Sequence, residues 1–293
     1  MLLDAAAQAR AASTSALEKE LARAERQPIA KDSAEVLLAL AGLPTTTASA
    51  ALERLGLGLD ATSIWSRAAF VHLMPTLDSL QLHPVEHDLS LKERATLRDA
   101  LTKHFAGDSA LRPALDAGHL GWTPDARATI AAPEVHALHD VREQLAPATL
   151  GGPVARVLNE AQMVLHQHPI NAARESRGAL TANALWCWGF GSLPDRPPRT
   201  WQNASGRDPL LRGLALEGGT PHRAVPTATG PGVTTLAMGD RIDTLLDDAA
   251  AALRKGAIDA VWIHAAPFGA WRITPNARFR FWRRVRPLRD LFA

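Results

Sequence analysis

The residues that could do chemistry lie together, between positions 168 and 191 of the chain. They comprise a histidine, two asparagines, two arginines and two glycines of a turn: His168, Asn171, Arg174, Arg177, Asn183, Gly189 and Gly191. A guanidinium group can hold a carboxylate or a phosphate through two parallel hydrogen bonds, and asparagine amides and glycine-turn N–H groups add further donors. We therefore treat these residues as a candidate binding site for a small anion. The same residue types also fix turns and cap helix ends, so a structural role stays open.

A helix, a turn and a strand must position these residues. Pro153 suits the first position of a helix. The apolar face of that helix repeats at Val154, Val157, Leu158, Ala161 and Leu165. His168-Pro169 should end it, because the residue before proline disfavours the α conformation. Residues 185–188 are apolar, which indicates a buried strand that opens into the Gly189-Phe190-Gly191 turn. Because α/β proteins often bind ligands in such a crevice, we expect the polar turn and the glycine turn to face one another.

Other arrangements that could support catalysis or metal binding are weak. The pairs His136/His139 and His166/His168 lack the cysteine or carboxylate partners of a zinc site. No Ser-His-Asp or Cys-His arrangement follows from the spacing. Cys187, the single cysteine, lies between two tryptophans and is expected to be a buried, inert thiol. We therefore predict no catalytic residue, no metal ligand and no cofactor.

The spacing of the candidate residues resembles the signature of the bacterial RpfE-type regulatory proteins, over roughly residues 20–293. The matching positions are His168-Pro169-x-Asn171-x-x-Arg174, Gly178, Ala182-Asn183 and Trp186-x-Trp188-Gly189-x-Gly191. From about residue 155 onward, the chain is also similar, more distantly, to the cofactor-independent (archaeal-type) phosphoglycerate mutases of the alkaline-phosphatase superfamily. This resemblance implies an α/β fold. Its C-terminal part would be a cut-down alkaline-phosphatase-like sheet with helices, preceded by a helix-rich α+β part.

The resemblance also defines which metal ligands the chain should have. Enzymes of that superfamily use a strand ending in Asp near the N-terminus, a phosphate-accepting serine, an Asp-x-x-x-His run after a late strand, and an Asp-His pair. Ile263-His264-Ala265-Ala266-Pro267 resembles the late strand and its turn, but no aspartate or histidine follows over 268–272. No Asp-His pair occurs in the sequence, and the N-terminus shows no apolar strand ending in aspartate. Since a two-metal site needs several carboxylates and histidines, phosphoryl transfer by the mutase mechanism is not expected.

Two function classes follow from these residues. The first is a non-catalytic regulatory or small-anion-binding protein, whose ligand would be a phosphorylated or carboxylated metabolite and which could also have a protein partner. The alternative is a metal-dependent phosphoglycerate mutase or phosphatase-like enzyme whose ligands are not recognised.

A third class, a nucleic-acid-associated factor, depends on the arginine-rich C-terminus. The chain has 27 arginines and five lysines, and seven of the arginines fall in the last 22 residues. In Arg278-Phe-Arg-Phe-Trp-Arg-Arg-Val-Arg, aromatic residues alternate with charges, as in surfaces that bind single-stranded nucleic acid. A solvated strand face whose arginine stems cover the core gives the same pattern. The net charge of +2 is too small for a general nucleic-acid footprint, so we do not expect nucleic-acid binding.

Composition indicates an ordinary globular protein of 293 residues, 46% of them hydrophobic and 21% charged. No apolar run approaches the roughly 18–20 residues that cross a membrane, so no membrane association is expected. The N-terminus does not resemble a secretory signal, and one cysteine suits a reducing compartment. These features predict a cytoplasmic protein.

The chain is expected to divide near residue 150, into a helix-rich part over 1–150 and an α/β part over 151–293 that could share one core. In the first part we predict a hairpin over 69–83, and a helix that begins at the capping box Ser90–Glu93. Five further predicted elements are a strand over 119–122, a helix over 133–145, a strand over 213–217, a helix over 243–255 and a strand over 258–264.

Overall fold

The computed structural model describes most of the chain, in the ranges 2–3, 15–27, 32–116, 118–126, 128–130, 132–146, 149–196, 198–228, 230–236, 240, 242–265, 269–280 and 282–285. The eight α-helices among these residues are α1 Ser15–Arg23, α2 Ser33–Leu40, α3 Ser49–Leu57, α4 Leu91–His104, α5 Gly152–His166, α6 Pro169–Glu175, α7 Pro209–Glu217 and α8 Ile242–Arg254. The twelve strands described are β1 Leu2–Leu3, β2 Glu25–Gln27, β3 Ile64–Pro75, β4 Leu80–Pro84, β5 Leu111–Asp116, β6 His119–Trp122, β7 Ala184–Gly191, β8 Ala204–Ser205, β9 His222–Arg223, β10 Val233–Leu236, β11 Val261–Ala265 and β12 Gly269–Ile273. In this part of the chain, no helix combines the length and the apolar character needed to cross a membrane.

The chain forms two compact units, whose boundaries differ from the division expected near residue 150. The inserted unit comprises Thr46–Ala51 and Asp60–Pro194. The outer unit comprises Met1–Thr45, Leu52–Leu59 and Asp195–Ala293. The expected parts 1–150 and 151–293 therefore do not coincide with these units. The chain starts in the outer unit, passes twice into the inserted unit and ends in the outer unit.

The inserted unit is built on an antiparallel sheet around β3. The predicted hairpin is confirmed, with β4 pairing β3 from Val71↔Pro84 to Pro75↔Leu80. β6 pairs with the first half of the same edge, and β5 lies beyond β6. β7 runs along the opposite edge of β3, which places the strand of the candidate site next to the longest strand of the unit.

Two helices cover this sheet, and both begin where the sequence indicates. Ser90 and Glu93 form the predicted capping box of α4, with both reciprocal hydrogen bonds present. The apolar face predicted for α5, from Val154 to Leu165, is buried. α5 packs on β7, whose residues from Ala184 to Trp188 are all buried. The candidate site is therefore attached to the hydrophobic core of this unit.

The outer unit contains a seven-stranded sheet in the order β2-β12-β11-β1-β10-β8-β9. Its five central and distal strands, β11, β1, β10, β8 and β9, run parallel, whereas β12 and β2 are antiparallel additions. Helices α1 and α8 contribute Leu21, Leu245 and Leu253 to a core with Ile263 and Trp271. The expected mixed α/β class is confirmed by this sheet and its helices.

The N-terminus contains a strand that was not expected from the sequence. Leu2 and Leu3 form β1 between β10 and β11, in the middle of the parallel strands. The next residue in the sequence is Asp4, which lies outside the described residues. The statement that no strand precedes an aspartate here is therefore wrong. A strand of two residues is too short to show a hydrophobic pattern.

Two predicted elements are also wrong. The strand expected over 213–217 is the end of α7, because Asp208 caps this helix by accepting from Leu211 N–H at 3.0 Å and Pro209 occupies its first turn. The helix expected over 133–145 is a single 3₁₀ turn, Pro133–His136. Its continuation bonds instead to β4, with Leu138 N–H donating to the Leu82 carbonyl at 2.8 Å.

Candidate functional site

The His168-Pro169 corner separates α5 from α6, as predicted. α5 ends at His166 and α6 begins at Pro169. His168 occupies the N-cap position, and its Nδ1 accepts a hydrogen bond from Ile170 N–H at 3.3 Å. This contact gives His168 a structural role in starting α6.

The side-chain amides of both asparagines form hydrogen bonds with backbone N–H and carbonyl groups. Asn171 is 3% exposed, and its Nδ2 donates to the carbonyls of Leu165 at 2.7 Å and Ala182 at 3.0 Å. Its Oδ1 accepts from Ala182 N–H at 2.8 Å. Asn183 forms a matched pair of bonds with Leu73 of β3, at 2.8 Å to N–H and 2.9 Å to the carbonyl. The two amides hold the polar turn to the sheet, so their donors and acceptors serve the fold.

Arg174 is buried under the polar turn. Its side chain is 2% exposed. Nε donates to the Leu180 carbonyl at 2.7 Å, and Nη1 lies 3.3 Å from both the Asp88 carbonyl and Glu93 Oε1. Because these acceptors belong to the protein and water cannot reach the group, Arg174 joins α6 to the start of α4.

Arg177, one turn further along, meets the same carboxylate from the solvent side. Its side chain is 52% exposed, and its Nη2 donates to Glu93 Oε1 at 2.6 Å. The Ser90 N–H bond and the Arg177 guanidinium lower the pKa of Glu93 from 4.5 to about 2. Glu93 is therefore ionised at neutral pH and holds both arginines.

An open pocket of about 660 Å³ lies beside Arg177. Its lining includes His87, Asp88, Ser90 and Glu93 at the start of α4, and Ile170 and Arg177 on the α6 side. Arg177 is the candidate residue that is both half-exposed and part of the lining of a cavity, and a guanidinium suits a small carboxylate or phosphate. This pocket is our candidate functional site.

The glycine turn does not share this pocket. Asn183 and Gly191 stand at opposite ends of β7, about 26 Å apart for a strand that rises roughly 3.3 Å per residue. Gly189 and Gly191 have φ values of 67° and 138°. A Cβ at either position would collide with Ser49 or Ala48 at the start of α3. The prediction that the polar turn and the glycine turn face one crevice is therefore wrong. These glycines instead permit a close approach between backbone segments.

The described part of the arginine-rich C-terminus contacts the outer unit. Arg280 donates to the Arg23 carbonyl at 3.3 Å and to Glu25, and Arg283 donates to the Ala24 carbonyl at 2.8 Å. These bonds support the structural interpretation of the tail. Arg286 and Arg289 lie outside the described residues.

The residues that the structure describes do not supply a metal centre of the kind that the resemblance implies. No group of three or more histidine, cysteine, aspartate or glutamate residues that could hold a metal ion occurs among them. His264 of β11 has a pKa lowered to about 4, chiefly by burial. Burial also raises the pKa of the Cys187 thiol to about 12, as expected for an unreactive cysteine.

Of the residues that line the pocket, only Arg177 was among the predicted site residues. Ser90 and Glu93 were recognised only as a capping box, and His87 was not considered. Glu93 lies 81 positions before Arg174 in the sequence. The capping box fixes where Glu93 stands on α4, but no local pattern shows that α6 packs against that turn.

The fold and the pocket define a mixed α/β protein with an exposed arginine at its candidate site. No protein-family model matches the chain. Parts of it are similar to 2,3-bisphosphoglycerate-independent phosphoglycerate mutases. It is 42% identical over 66 residues to that of Aeropyrum pernix, covering 21% of this chain and 15% of the relative. It is 31% identical over 115 residues to that of Methanothrix thermoacetophila, covering 37% and 27%. The chain thus matches about a quarter or less of these relatives' length.

Two solved structures overlap most of the chain at low similarity. The PH0037 protein of Pyrococcus horikoshii has a TM-score of 0.43 and 17% identity, over 95% of this chain and 84% of that one. The cofactor-independent phosphoglycerate mutase of Thermoplasma acidophilum has a TM-score of 0.36 and 18% identity, over 94% and 89%. Neither score is high enough for a shared fold to follow. The distant sequence similarity to cofactor-independent phosphoglycerate mutases is confirmed by the relatives, whereas the RpfE-type resemblance stays a prediction.

Proposed function

We propose that this chain is a non-catalytic regulatory protein that binds a small phosphorylated or carboxylated metabolite, on a core related to the phosphoglycerate mutases. The observation that carries the proposal is the half-exposed guanidinium of Arg177 at an open pocket. Of the seven candidate residues, it is Arg177 that retains the geometry of a ligand-binding group.

The pocket suits a small anion in size and in chemistry. A volume of about 660 Å³ accommodates a metabolite rather than a macromolecule. Ser90 and His87 are exposed and can add hydrogen bonds, while Ile170 adds an apolar surface. A carboxylate or phosphate would be oriented by Arg177 and would accept further hydrogen bonds from these groups.

The sequence supports the non-catalytic part of the proposal. Neither an Asp-His pair nor an Asp-x-x-x-His run occurs anywhere in the 293 residues. The resemblance to the alkaline-phosphatase superfamily would place these residues around two metal ions. The sequence therefore lacks two of the ligand patterns that the resemblance implies for that two-metal site.

A thermal-shift screen of phosphorylated and carboxylated metabolites tests the binding. A ligand of this pocket should raise the melting temperature of the wild type. Arg177→Gln should lower the affinity for that ligand about ten- to hundredfold, because an arginine–anion bond contributes roughly 1.5–3 kcal/mol. Arg142→Gln is the matched control, since Arg142 pairs with Asp140 in the same unit, away from the pocket. Stabilisation that survives Arg177→Gln would place the ligand elsewhere.

A metal-dependent phosphoglycerate mutase or phosphatase is the second candidate, and β1 is the observation that favours it. Leu2 and Leu3 lie among the parallel strands and are followed in sequence by Asp4, as in the first metal-binding strand that the resemblance implies. Metal analysis of the purified protein separates the two candidates. Two tightly bound manganese or zinc ions, with phosphoglycerate turnover that chelation and Asp4→Asn both abolish, would establish the enzyme.

A further inference from the structure

Glu93 is bound as a carboxylate ligand would be. Its Oε1 accepts from Arg177 at 2.6 Å and lies 3.3 Å from Arg174 Nη1, while its Oε2 accepts from Ser90 N–H at 2.8 Å. Two guanidinium groups and a helix N-terminal N–H converge on a single carboxylate, the donor set that proteins present to bound anions. The same glutamate lines the pocket.

We propose that Glu93 is a built-in competitor of the pocket's ligand: its carboxylate occupies the Arg177 donor that an incoming phosphate or carboxylate would engage. This inference rests on the proposed function, because it concerns the regulation of the same site. A ligand that engages Nη2 of Arg177 must displace Glu93, so the resting protein has a lower affinity for the anion.

Arg174 and Arg177 have different roles in this exchange. The guanidinium of Arg174 cannot move to bind a ligand, because the carbonyls of Leu180 and Asp88 hold it inside the protein. The guanidinium of Arg177 can move, because its side chain is 52% exposed. Glu93 keeps its bonds to Ser90 and Arg174 when Arg177 leaves, so the start of α4 stays formed. The switch is therefore a movement of one surface side chain between an internal and an external anion.

The exchange is not driven by pH in the neutral range. The pKa of Glu93 is lowered to about 2, so its carboxylate stays ionised and competes at every pH at which the protein would act. Only a ligand that offers a better geometry or more charge than a carboxylate displaces it, and a phosphate dianion does both.

The test is a calorimetric titration of inorganic phosphate and 3-phosphoglycerate into the full chain and its variants. Glu93→Gln should bind at least one of these probes roughly ten- to hundredfold more tightly than the wild type, since a guanidinium partner becomes available. Glu93→Asp, whose shorter carboxylate retreats from Arg177, should be intermediate. Glu93→Asp also keeps the negative charge at the start of α4, so it can be used as the test variant if Glu93→Gln does not fold.

Two controls separate competition from simpler causes. Asp88→Asn removes a negative charge from the pocket lining without removing any acceptor of the arginines, whose bond is to the Asp88 carbonyl. Ser90→Ala removes the side-chain cap of α4 but leaves the Glu93 pairing. Neither should tighten binding. If either matched Glu93→Gln, the gain would come from net charge or from loosening of the helix, and the competitor role would be wrong.

The outcomes distinguish this inference from the proposed function. Wild-type binding that Arg177→Gln removes and Glu93→Gln leaves unchanged or weakened keeps the anion site and overturns the competitor. Binding that appears only in the Glu93 variants supports it. Absence of binding in wild type and in both Glu93 variants overturns the inference and the anion site together.

Discussion

Arg174 and Arg177 share the acceptor Glu93, but their burial differs: the side chains are 2% and 52% exposed. A buried guanidinium must have its donors satisfied by the protein, whereas an exposed one can exchange a protein acceptor for water or a ligand. The candidate site therefore contains one arginine that maintains the fold and one that can bind. Their spacing of three residues does not distinguish them.

Arg174→Gln should destabilise the protein. The change removes the donors to the Leu180 and Asp88 carbonyls, which are part-buried, and an unsatisfied acceptor costs up to roughly 1–3 kcal/mol when it is buried. Urea unfolding should show this loss in the free energy of unfolding, whereas Arg142→Gln should leave the transition nearly unchanged. A stable Arg174→Gln protein that had lost only ligand affinity would show that Arg174 is a binding residue.

Glu93 also predicts how stability depends on pH. Its pKa in the folded protein is about 2, against an ordinary value of 4.5, so the unfolded chain takes up this proton first as the pH falls. The stabilisation by Glu93 is therefore complete above about pH 4.5 and is lost between that pH and 2. Urea unfolding of wild type and Glu93→Gln at several pH values should show a difference that shrinks on acidification. A difference that stayed constant from pH 7 to pH 3 would contradict the lowered pKa.

At the scale of elements, β7 separates the polar turn from the glycine turn, which the sequence analysis expected to face one crevice. Its start is held by Asn183, and its end approaches α3 at Gly189. The polar turn and the glycine turn are neighbours in sequence, but the extended strand between them separates them in space. The glycines are thus a requirement of packing.

Gly189→Ala should destabilise the protein more than Gly178→Ala. Both glycines have positive φ, 67° and 73°, so both changes include a backbone cost of about 1–2 kcal/mol. A Cβ at Gly178 meets nothing within 4 Å, whereas a Cβ at Gly189 would collide with Ser49. The further overpacking cost is about 1–3 kcal/mol. Equal melting temperatures for the two variants would show that the close approach at Gly189 does not matter.

The arginine-rich tail makes a second prediction for an element. Arg283 donates to the Ala24 carbonyl in the outer unit. Replacing Arg283 and Arg284 by glutamine should therefore lower the melting temperature slightly and leave any nucleic-acid affinity at its weak, nonspecific level. Tight binding of single-stranded nucleic acid, with a steep salt dependence that the double change removes, would instead establish the nucleic-acid hypothesis.

For the whole molecule, the sequence predicts local elements better than their assembly. The α4 capping box and the apolar face of α5 are determined within a few residues, so both were found. The pairing of Glu93 with Arg174 spans 81 positions and depends on how two helices pack, which no local pattern contains. β1 is stabilised by its two neighbours in the sheet rather than by its own two residues. The discontinuous units follow from the same kind of long-range contact.

The central claim is that a small anion binds at Arg177 without a catalytic metal. The most direct measurement is a calorimetric titration of chelator-treated protein with inorganic phosphate and 3-phosphoglycerate, before and after manganese is restored. We predict saturable binding of at least one probe, unchanged by the metal, weakened about ten- to hundredfold by Arg177→Gln, and without interconversion of phosphoglycerates. Binding that requires the metal, accompanied by turnover and indifferent to Arg177, would contradict the account.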